Sequence, residues 1–164
     1  MPAIAAHKGP VYMRLLRGNV PLVLDKYDYG FELGKAKRLV DGSDVLFISS
    51  GFMTMRVLEA AETLAGDKIK AAVLHVPTIK PLDSETILAE ARQGGRLVVV
   101  AENHTVVGGL GEAVAGVLMR NGVVTAFRQI GLPDEFLDAG ALPTLHDRYG
   151  LSAWEVVKAV KKWL

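Results

Sequence analysis

Three consecutive polar side chains, Glu102, Asn103 and His104, are the strongest candidates for chemistry in this sequence. They follow an unbroken apolar run, residues 97–101, which is typical of a strand buried on both faces. A carboxylate and an imidazole at a strand end could exchange a proton or pair across an interface. The pattern favours another interpretation over direct catalysis, in which a hydrogen-bonded strand end caps the next helix or meets another domain.

A glycine cluster, Gly108, Gly109 and Gly111, comes next and leads into a helix with an apolar face of small residues. Residues 109–114 approximate a dinucleotide-binding fingerprint. However, Val114 stands where the third glycine belongs, and no acidic residue closes the following strand. We therefore interpret the glycines as a tight turn with close helix packing. A second interpretation is that the turn holds a small anion at the amino end of the helix.

Arg17 is a further candidate, because it follows a predicted strand over residues 10–16 and stands beside Gly18. A guanidinium that reaches outward from a strand end suits a phosphate or a carboxylate. Most arginines in proteins are only surface charge, so the position by itself is a weak signal.

The histidines and acidic residues indicate no metal site. His75 lies inside an apolar strand, which predicts a buried, hydrogen-bonded imidazole, and His146 stands beside two charged residues, which predicts a solvated face. No pair of histidines or aspartates has ligand spacing, and no nucleophile elbow or Walker-type phosphate loop occurs in the sequence.

Regular elements must position these side chains, and the hydrophobic periodicity predicts an alternation of strands and helices. The predicted strands are residues 10–16, 36–40, 44–49, 69–76, 97–101 and 123–130, and the predicted helices are residues 53–65, 83–93, one after the glycine turn, 142–149 and a last one capped by Ser152. This alternation predicts a three-layer α/β fold, an open and mostly parallel sheet with helices on both faces. A hairpin at Asp41-Gly42 could add an antiparallel edge strand.

The composition limits the function class. A chain of 164 residues suits a domain with a full core, and a formal charge of +1 without a basic face gives no support to a nucleic-acid or anionic-membrane partner. The absence of cysteine excludes disulfides and thiolate metal sites. No apolar run reaches the length of a membrane span, and the first residues do not follow the pattern of a secretion signal. We therefore expect a cytoplasmic protein.

Several stretches in this order resemble the carboxyl-terminal part of transketolases, namely residues 9–21, 78–83, 101–114, 130–134 and 149–152. The resemblance implies that residues 1–34 are the end of a pyrimidine-binding domain with its linker, and that residues 35–164 are a transketolase C-terminal domain. The beta-type subunits of 2-oxo acid dehydrogenases and the deoxyxylulose-phosphate synthases carry similar third domains.

The resemblance implies transfer of a two-carbon ketol unit between sugar phosphates, with thiamine diphosphate and Mg in the complete enzyme. It places neither on this chain, because the family's metal motif and its activating glutamate are absent from the sequence. The chain is then expected to be inactive alone, as a split-gene subunit or a fragment. It would support dimerisation and structure with an amino-terminal transketolase section, in a homodimer or heterotetramer.

The same resemblance assigns roles to a few residues. Arg17 matches the arginine that contacts the substrate phosphate in transketolases, although its Leu-Leu-Arg-Gly context departs from that of many members. The cluster from Glu102 to His104, with its glycines, would face a neighbouring domain. The alternatives are a part of a 2-oxo acid dehydrogenase beta-type subunit, a part of a deoxyxylulose-phosphate synthase, or a non-catalytic module that binds a small anion.

Overall fold

The computed structural model describes residues 2–16 and 20–164. Within these residues the strands are β1 Lys37–Val40, β2 Val45–Ser49, β3 Ala71–His75, β4 Leu97–Thr105 and β5 Phe127–Leu132. The helices are α1 Pro2–Ala6, α2 Phe52–Gly66, α3 Ser84–Ala91, α4 Leu110–Arg120, α5 Leu142–Arg148 and α6 Ala153–Trp163, with one 3-10 turn at Asp25–Tyr27. Among these helices, none has the length and apolar character needed to cross a bilayer.

The described strands form one sheet in the order β1-β3-β2-β4-β5. Three of the neighbouring pairs are parallel, and β1 runs antiparallel to β3 at the edge. The predicted mostly parallel sheet with an antiparallel edge strand is therefore confirmed. The chain leaves β2 towards β3 and later crosses to the other side for β4, so the strand order reverses at β2. In open α/β sheets, such a reversal opens a crevice at the carboxyl ends of the strands.

Helices cover both faces of the sheet, which gives the predicted three layers. On one face, Val45 and Phe47 of β2 pack in a cluster with α2 and α6. On the other face, Leu46 and Ile48 pack in a cluster with α3 and α4. Because β2 lies between two strands and two helix layers, all five of its residues are buried. Burying each of its large apolar side chains contributes roughly 1.5–3 kcal/mol.

The predicted early strand and hairpin are wrong. Residues 10–16 form no strand, because an extended segment becomes a strand only when a neighbouring strand takes its backbone hydrogen bonds. β1 pairs with β3 rather than with β2, whose two edges are already taken by β3 and β4. The Asp41-Gly42 turn carries the chain past the start of β3 to reach β2. It passes so close that a Cβ on Gly42 would lie 2.3 Å from the Ala71 carbonyl carbon.

Two strands differ in extent from their predicted ranges. β4 continues through Thr105, so Glu102, Asn103 and His104 lie within the strand and not after it. β5 begins at Phe127 and continues through Gly131 to Leu132, where a break was expected. The two extensions support each other, because Thr105 lies opposite Leu132, and the Val106 N–H donates to the Leu132 carbonyl at 2.9 Å.

The segment before β1 is tied to the sheet and its helices by several contacts. Val23, Leu24 and Tyr27 pack against the cluster that contains α2 and α6. Nearer to β1, the Gly34 N–H donates to Thr78 Oγ1 at 3.1 Å, and the Ala36 N–H donates to Asp83 Oδ2 at 2.9 Å. Asp83 also caps α3 as predicted, since its carboxylate accepts from the Thr86 N–H.

Candidate functional site

Glu102 is a buried carboxylate that closes the amino end of α4. Its side chain is 4 % exposed. Oε2 accepts the Leu110 N–H at 2.7 Å, and Oε1 accepts the Gly111 N–H at 2.8 Å. The first N–H groups of a helix lack partners within the helix, and its amino end carries a partial positive charge. Glu102 therefore satisfies two of these groups from the neighbouring strand, as in the capping interpretation of the sequence.

The glycines of the turn leave room for this contact. A Cβ on Gly109 would lie 2.1 Å from Glu102 Oε2, and a Cβ on Gly111 would lie 2.0 Å from Gln129 Nε2. Gly108 has a different reason, since its φ of +74° lies in the left-handed region while the space around it is open. The close-packing interpretation of the glycines thus matches their surroundings.

The anion-binding interpretation of the turn meets a physical obstacle. The N–H groups of Leu110 and Gly111 already face the Glu102 carboxylate, and the Gly108 N–H donates to Glu112 Oε2 at 2.8 Å. A second anion at this position would be repelled by two carboxylates and would have to displace their hydrogen bonds. We therefore do not assign a small-anion site to this turn.

The three polar residues do not converge on one point. Alternate residues of a strand face opposite sides, and Glu102 lies on the face of α4. Asn103 lies on the face of α2, where its Oδ1 is 3.6 Å from the Cβ position of Gly51. His104 Nδ1 lies 3.1 Å from the Thr105 carbonyl oxygen. The Asn103 carbonyl also accepts Arg14 Nη2 at 2.9 Å, which joins the early segment to this end of the sheet.

A hydrogen-bonded chain of buried groups lies beside this cluster, and sequence reasoning missed it. Ser49 Oγ is 3.0 Å from Thr54 Oγ1, which is 2.8 Å from His75 Nδ1. The ring of Tyr29 packs edge-on against His75 with centroids 5.2 Å apart. Burial lowers the pKa of His75 to about 4, so the imidazole is neutral at pH 7. The predicted buried, hydrogen-bonded state of His75 is confirmed, and its partner Thr54 is one helix turn beyond the glycine at position 51.

The remaining predicted residues have separate outcomes. His146 was expected on a solvated face, and this prediction is wrong, because its ring packs against Phe52 with centroids 5.0 Å apart and is 5 % exposed. Burial, followed by the nearby Arg56 charge, lowers the pKa of His146. Arg17, the predicted phosphate contact, lies outside the described residues.

In residues 2–16 and 20–164, no group of three or more carboxylates and imidazoles is arranged to hold a metal ion. The described part of this site can cap a helix, hold a neutral imidazole and present polar backbone at the end of the sheet. It does not bring together a nucleophile, a base and an oxyanion donor.

Comparison with known proteins places the chain in a family. The family model for the transketolase C-terminal domain matches residues 34–156. The transketolase family protein y4mN of Sinorhizobium fredii is 72% identical over 100% of this chain and 48% of its own length. The 6-deoxy-6-sulfo-D-fructose transketolase subunit SqwH of a Clostridium species is 46% identical over 96% of this chain and 48% of its own length.

Other matches extend this picture. A 1-deoxy-D-xylulose-5-phosphate synthase of Heliobacterium modesticaldum is 38% identical over 95% of this chain and 24% of its own length. A solved structure described as a split gene transketolase, inactive beta4 tetramer, is 41% identical with a TM-score of 0.87, over 99% of this chain and 54% of that chain.

The chain thus spans about half the length of the first two relatives and of the split-gene structure. Its sequence and its five-stranded fold both match at the level of the whole chain. From residue 34 to residue 156, it belongs to the transketolase C-terminal domain family.

Proposed function

We propose that this chain is the carboxyl-terminal part of a split transketolase, which transfers a two-carbon ketol unit between sugar phosphates. In this proposal the chain is inactive alone. It supports the fold and dimerisation of an enzyme whose amino-terminal section binds thiamine diphosphate and Mg. Arg17 is the proposed contact to the substrate phosphate, and the assembly is a homodimer or heterotetramer.

The observation that carries the proposal is the likeness to the split-gene transketolase chain, with 41% identity and a TM-score of 0.87 over 99% of this chain. An identity of this level along the whole chain supports a shared role as well as a shared fold. The same match covers 54% of that chain. Further polypeptide is therefore needed for a complete enzyme under this proposal.

The side chains of the described residues do not fit the cofactor of the complete enzyme. Mg²⁺ bound with a diphosphate is held by carboxylates aimed at the metal, and in residues 2–16 and 20–164 no three or more carboxylates and imidazoles are grouped to hold a metal ion. The buried carboxylate of Glu102 is committed to the amino end of α4. The proposal therefore gives the cofactor to the amino-terminal section.

A reconstitution assay tests the proposal. Transketolase activity is measured for this chain alone, for the amino-terminal section of a transketolase from the same source, and for their mixture, each with thiamine diphosphate and Mg²⁺. We expect activity only in the mixture. Activity of this chain alone, or cofactor binding by it, would contradict the proposal.

A second candidate reaction is the synthesis of 1-deoxy-D-xylulose 5-phosphate, because a synthase with that product is 38% identical over 95% of this chain. The same mixture separates the two reactions when it is assayed for this product. Formation of the product without ketol transfer would favour the synthase over the transketolase. The higher identity to a transketolase subunit, 46%, favours ketol transfer.

A further inference from the structure

The loop between β5 and α5, residues 133–140, carries the most exposed large apolar side chain of the described residues. Phe136 has a relative exposure of 107%, so its ring makes almost no contact with the rest of the chain. A single exposed apolar residue is common on protein surfaces and needs no explanation. Phe136 differs from such a residue because its loop is anchored and carries carboxylates beside the ring. We call residues 133–140 the acidic loop.

The acidic loop is held in place by the end of α5 and the residue after it. The Asp138 N–H donates to the Tyr149 hydroxyl at 3.0 Å, and that hydroxyl donates to Asp138 Oδ2 at 3.0 Å. The Arg148 guanidinium pairs with the same carboxylate oxygen. The hydrogen bond from Arg148, with that from Tyr149, holds the pKa of the Asp138 carboxyl below its usual range, so the anchor stays charged. A loop fixed in this way loses less conformational entropy on binding than a mobile one.

The charges beside Phe136 indicate the chemistry of a partner. Asp134 and Glu135 precede the ring directly, and both are exposed. Asp138 is neutralised by Arg148, whereas no salt bridge within the described residues involves either of the other two carboxylates. An aromatic ring flanked by two carboxylates is complemented by an apolar pocket whose rim carries lysines or arginines.

Val107, another exposed apolar residue, lies at the same carboxyl end of the sheet. The acidic loop leaves β5 at its carboxyl end, where Val106 N–H bonds to the Leu132 carbonyl, and the next residue, Val107, is exposed. Arg14 donates to the Asn103 carbonyl of the adjacent strand, and Tyr12 and Leu15, close to Arg14 in sequence, are exposed. Several exposed large apolar residues on one edge are typical of a protein–protein interface.

We propose that the acidic loop is a docking element whose Phe136 ring inserts into an apolar pocket with a basic rim on the amino-terminal transketolase section. The inference rests on the proposed function, which supplies the partner. About half of the length of the related chains lies outside this chain, so a protein surface large enough to cover the loop exists under that proposal.

The test measures the affinity of the full chain for the amino-terminal section of a transketolase from the same source by calorimetry. We expect Phe136→Ser to weaken binding roughly tenfold or more, since a buried aromatic anchor carries a large share of interface energy. Phe136→Leu should keep most of the affinity. The matched control is Val124→Ser, because Val124 is 98% exposed but precedes β5, at the end of that strand opposite to the acidic loop. Circular dichroism checks that each variant is folded.

A charge variant tests the second half of the inference. Asp134→Asn combined with Glu135→Gln should weaken binding at low salt and make the affinity less dependent on salt concentration, because two rim charges are removed. An unchanged salt dependence would overturn the assignment of a basic rim.

The outcomes separate the two proposals. Binding by the wild-type chain that Phe136→Ser leaves unchanged overturns the docking element and leaves the proposed function standing. No binding by the wild-type chain overturns both. Light scattering of the chain alone tests whether the loop binds a second copy of this chain instead. A smaller mass for Phe136→Ser than for the wild type, with partner binding unchanged, would show that the loop joins two copies. That result would also overturn the inference.

Discussion

Glu102 is the residue on which the glycine turn depends. Its two oxygens accept two backbone N–H groups in a buried site. We expect Glu102→Ala to lower the free energy of unfolding by about 2–4 kcal/mol, since hydrogen bonds to a charged group contribute roughly 1.5–3 kcal/mol and buried N–H groups are left unpaired. Urea denaturation measures the change. Glu112→Ala is the control, because Glu112 accepts one exposed N–H from the same turn and should cost far less. Equal losses for both variants would contradict a capping role for Glu102.

His75 should make stability depend on pH. Its pKa is about 4 in the folded protein because of burial, against an ordinary value of 6.5. Between these values the unfolded chain binds a proton that the folded chain does not, so stability falls as pH drops from about 6.5 to about 4, by about 3 kcal/mol in total. Urea denaturation at pH 7 and pH 5 should show a steeper loss for the wild type than for His75→Gln. An equal loss of stability between pH 7 and pH 5 in the wild type and in His75→Gln would contradict the lowered pKa of His75.

Arg17 is the proposed contact to the substrate phosphate. In the reconstituted enzyme, Arg17→Ala should raise the KM for phosphorylated sugars, because loss of a charge-assisted pair costs about 1.5–3 kcal/mol. Arg128→Ala is a suitable control, since Arg128 is an exposed residue of edge strand β5 whose side chain donates a hydrogen bond to the Phe127 carbonyl. A KM that does not change with Arg17→Ala would remove this residue from the substrate site.

At the scale of elements, one acidic residue joins a helix to two strands. Glu90 of α3 accepts Arg38 Nη1 of β1 at 3.1 Å and Arg96 Nη2, just before β4, at 3.3 Å. Glu90 and Arg96 are both buried, and Arg96 Nη1 also reaches the Gly42 carbonyl at 3.3 Å. The pairing thus ties α3 to β1 and to the residue that precedes β4.

We expect Glu90→Ala to lower the free energy of unfolding by roughly 3–5 kcal/mol, because removal of one partner leaves a buried guanidinium without its counter-charge. Thermal and urea unfolding measure the loss. Glu62→Ala is the comparison, since Glu62 forms an exposed pair with Lys26 at 3.7 Å that should contribute at most about 1 kcal/mol. A small loss for Glu90→Ala would mean that water reaches Arg96 readily.

At the scale of the whole molecule, the early segment divides into two parts with different contacts. Residues 2–16 are mostly exposed and have one hydrogen bond to the sheet through Arg14. Residues 20–34 contain Val23, Leu24 and Tyr27, which pack against the core, and Tyr29, which packs against His75.

Two truncations test whether the compact unit begins at residue 35. Deletion of residues 2–16 should leave the free energy of unfolding within about 1 kcal/mol of the full chain. Deletion through residue 33 should lower it by roughly 3 kcal/mol or more, because partly buried apolar side chains are lost. Urea denaturation compares the three chains. Equal stability of all three would put the boundary at residue 35.

The local pattern along the chain was sufficient for most strands and helices from residue 36 onward and for the class of fold. Continuous apolar runs predicted the buried parallel strands, Asp83 and Ser152 predicted helix starts, and the alternation of elements predicted helices on both faces. Each of these signals acts over a few neighbouring residues, so the sequence contains it directly. The family also followed from short stretches whose order is specific, and the match over residues 34–156 bears this out.

Only the tertiary structure decided which elements meet. β1 pairs with β3, and not with β2, the next strand in sequence, because strand order depends on contacts between residues far apart in sequence. Pairing with β5 extends β4 beyond its apolar run through Thr105. Glu102 and Asn103 are neighbours in the chain but face different helices, because alternate residues of a strand face opposite sides of the sheet. His146 is buried because α5 places it against Phe52. The sequence by itself determined most of the strands and helices, the class of fold and the family of this protein. Long-range packing determined the surroundings of each polar side chain.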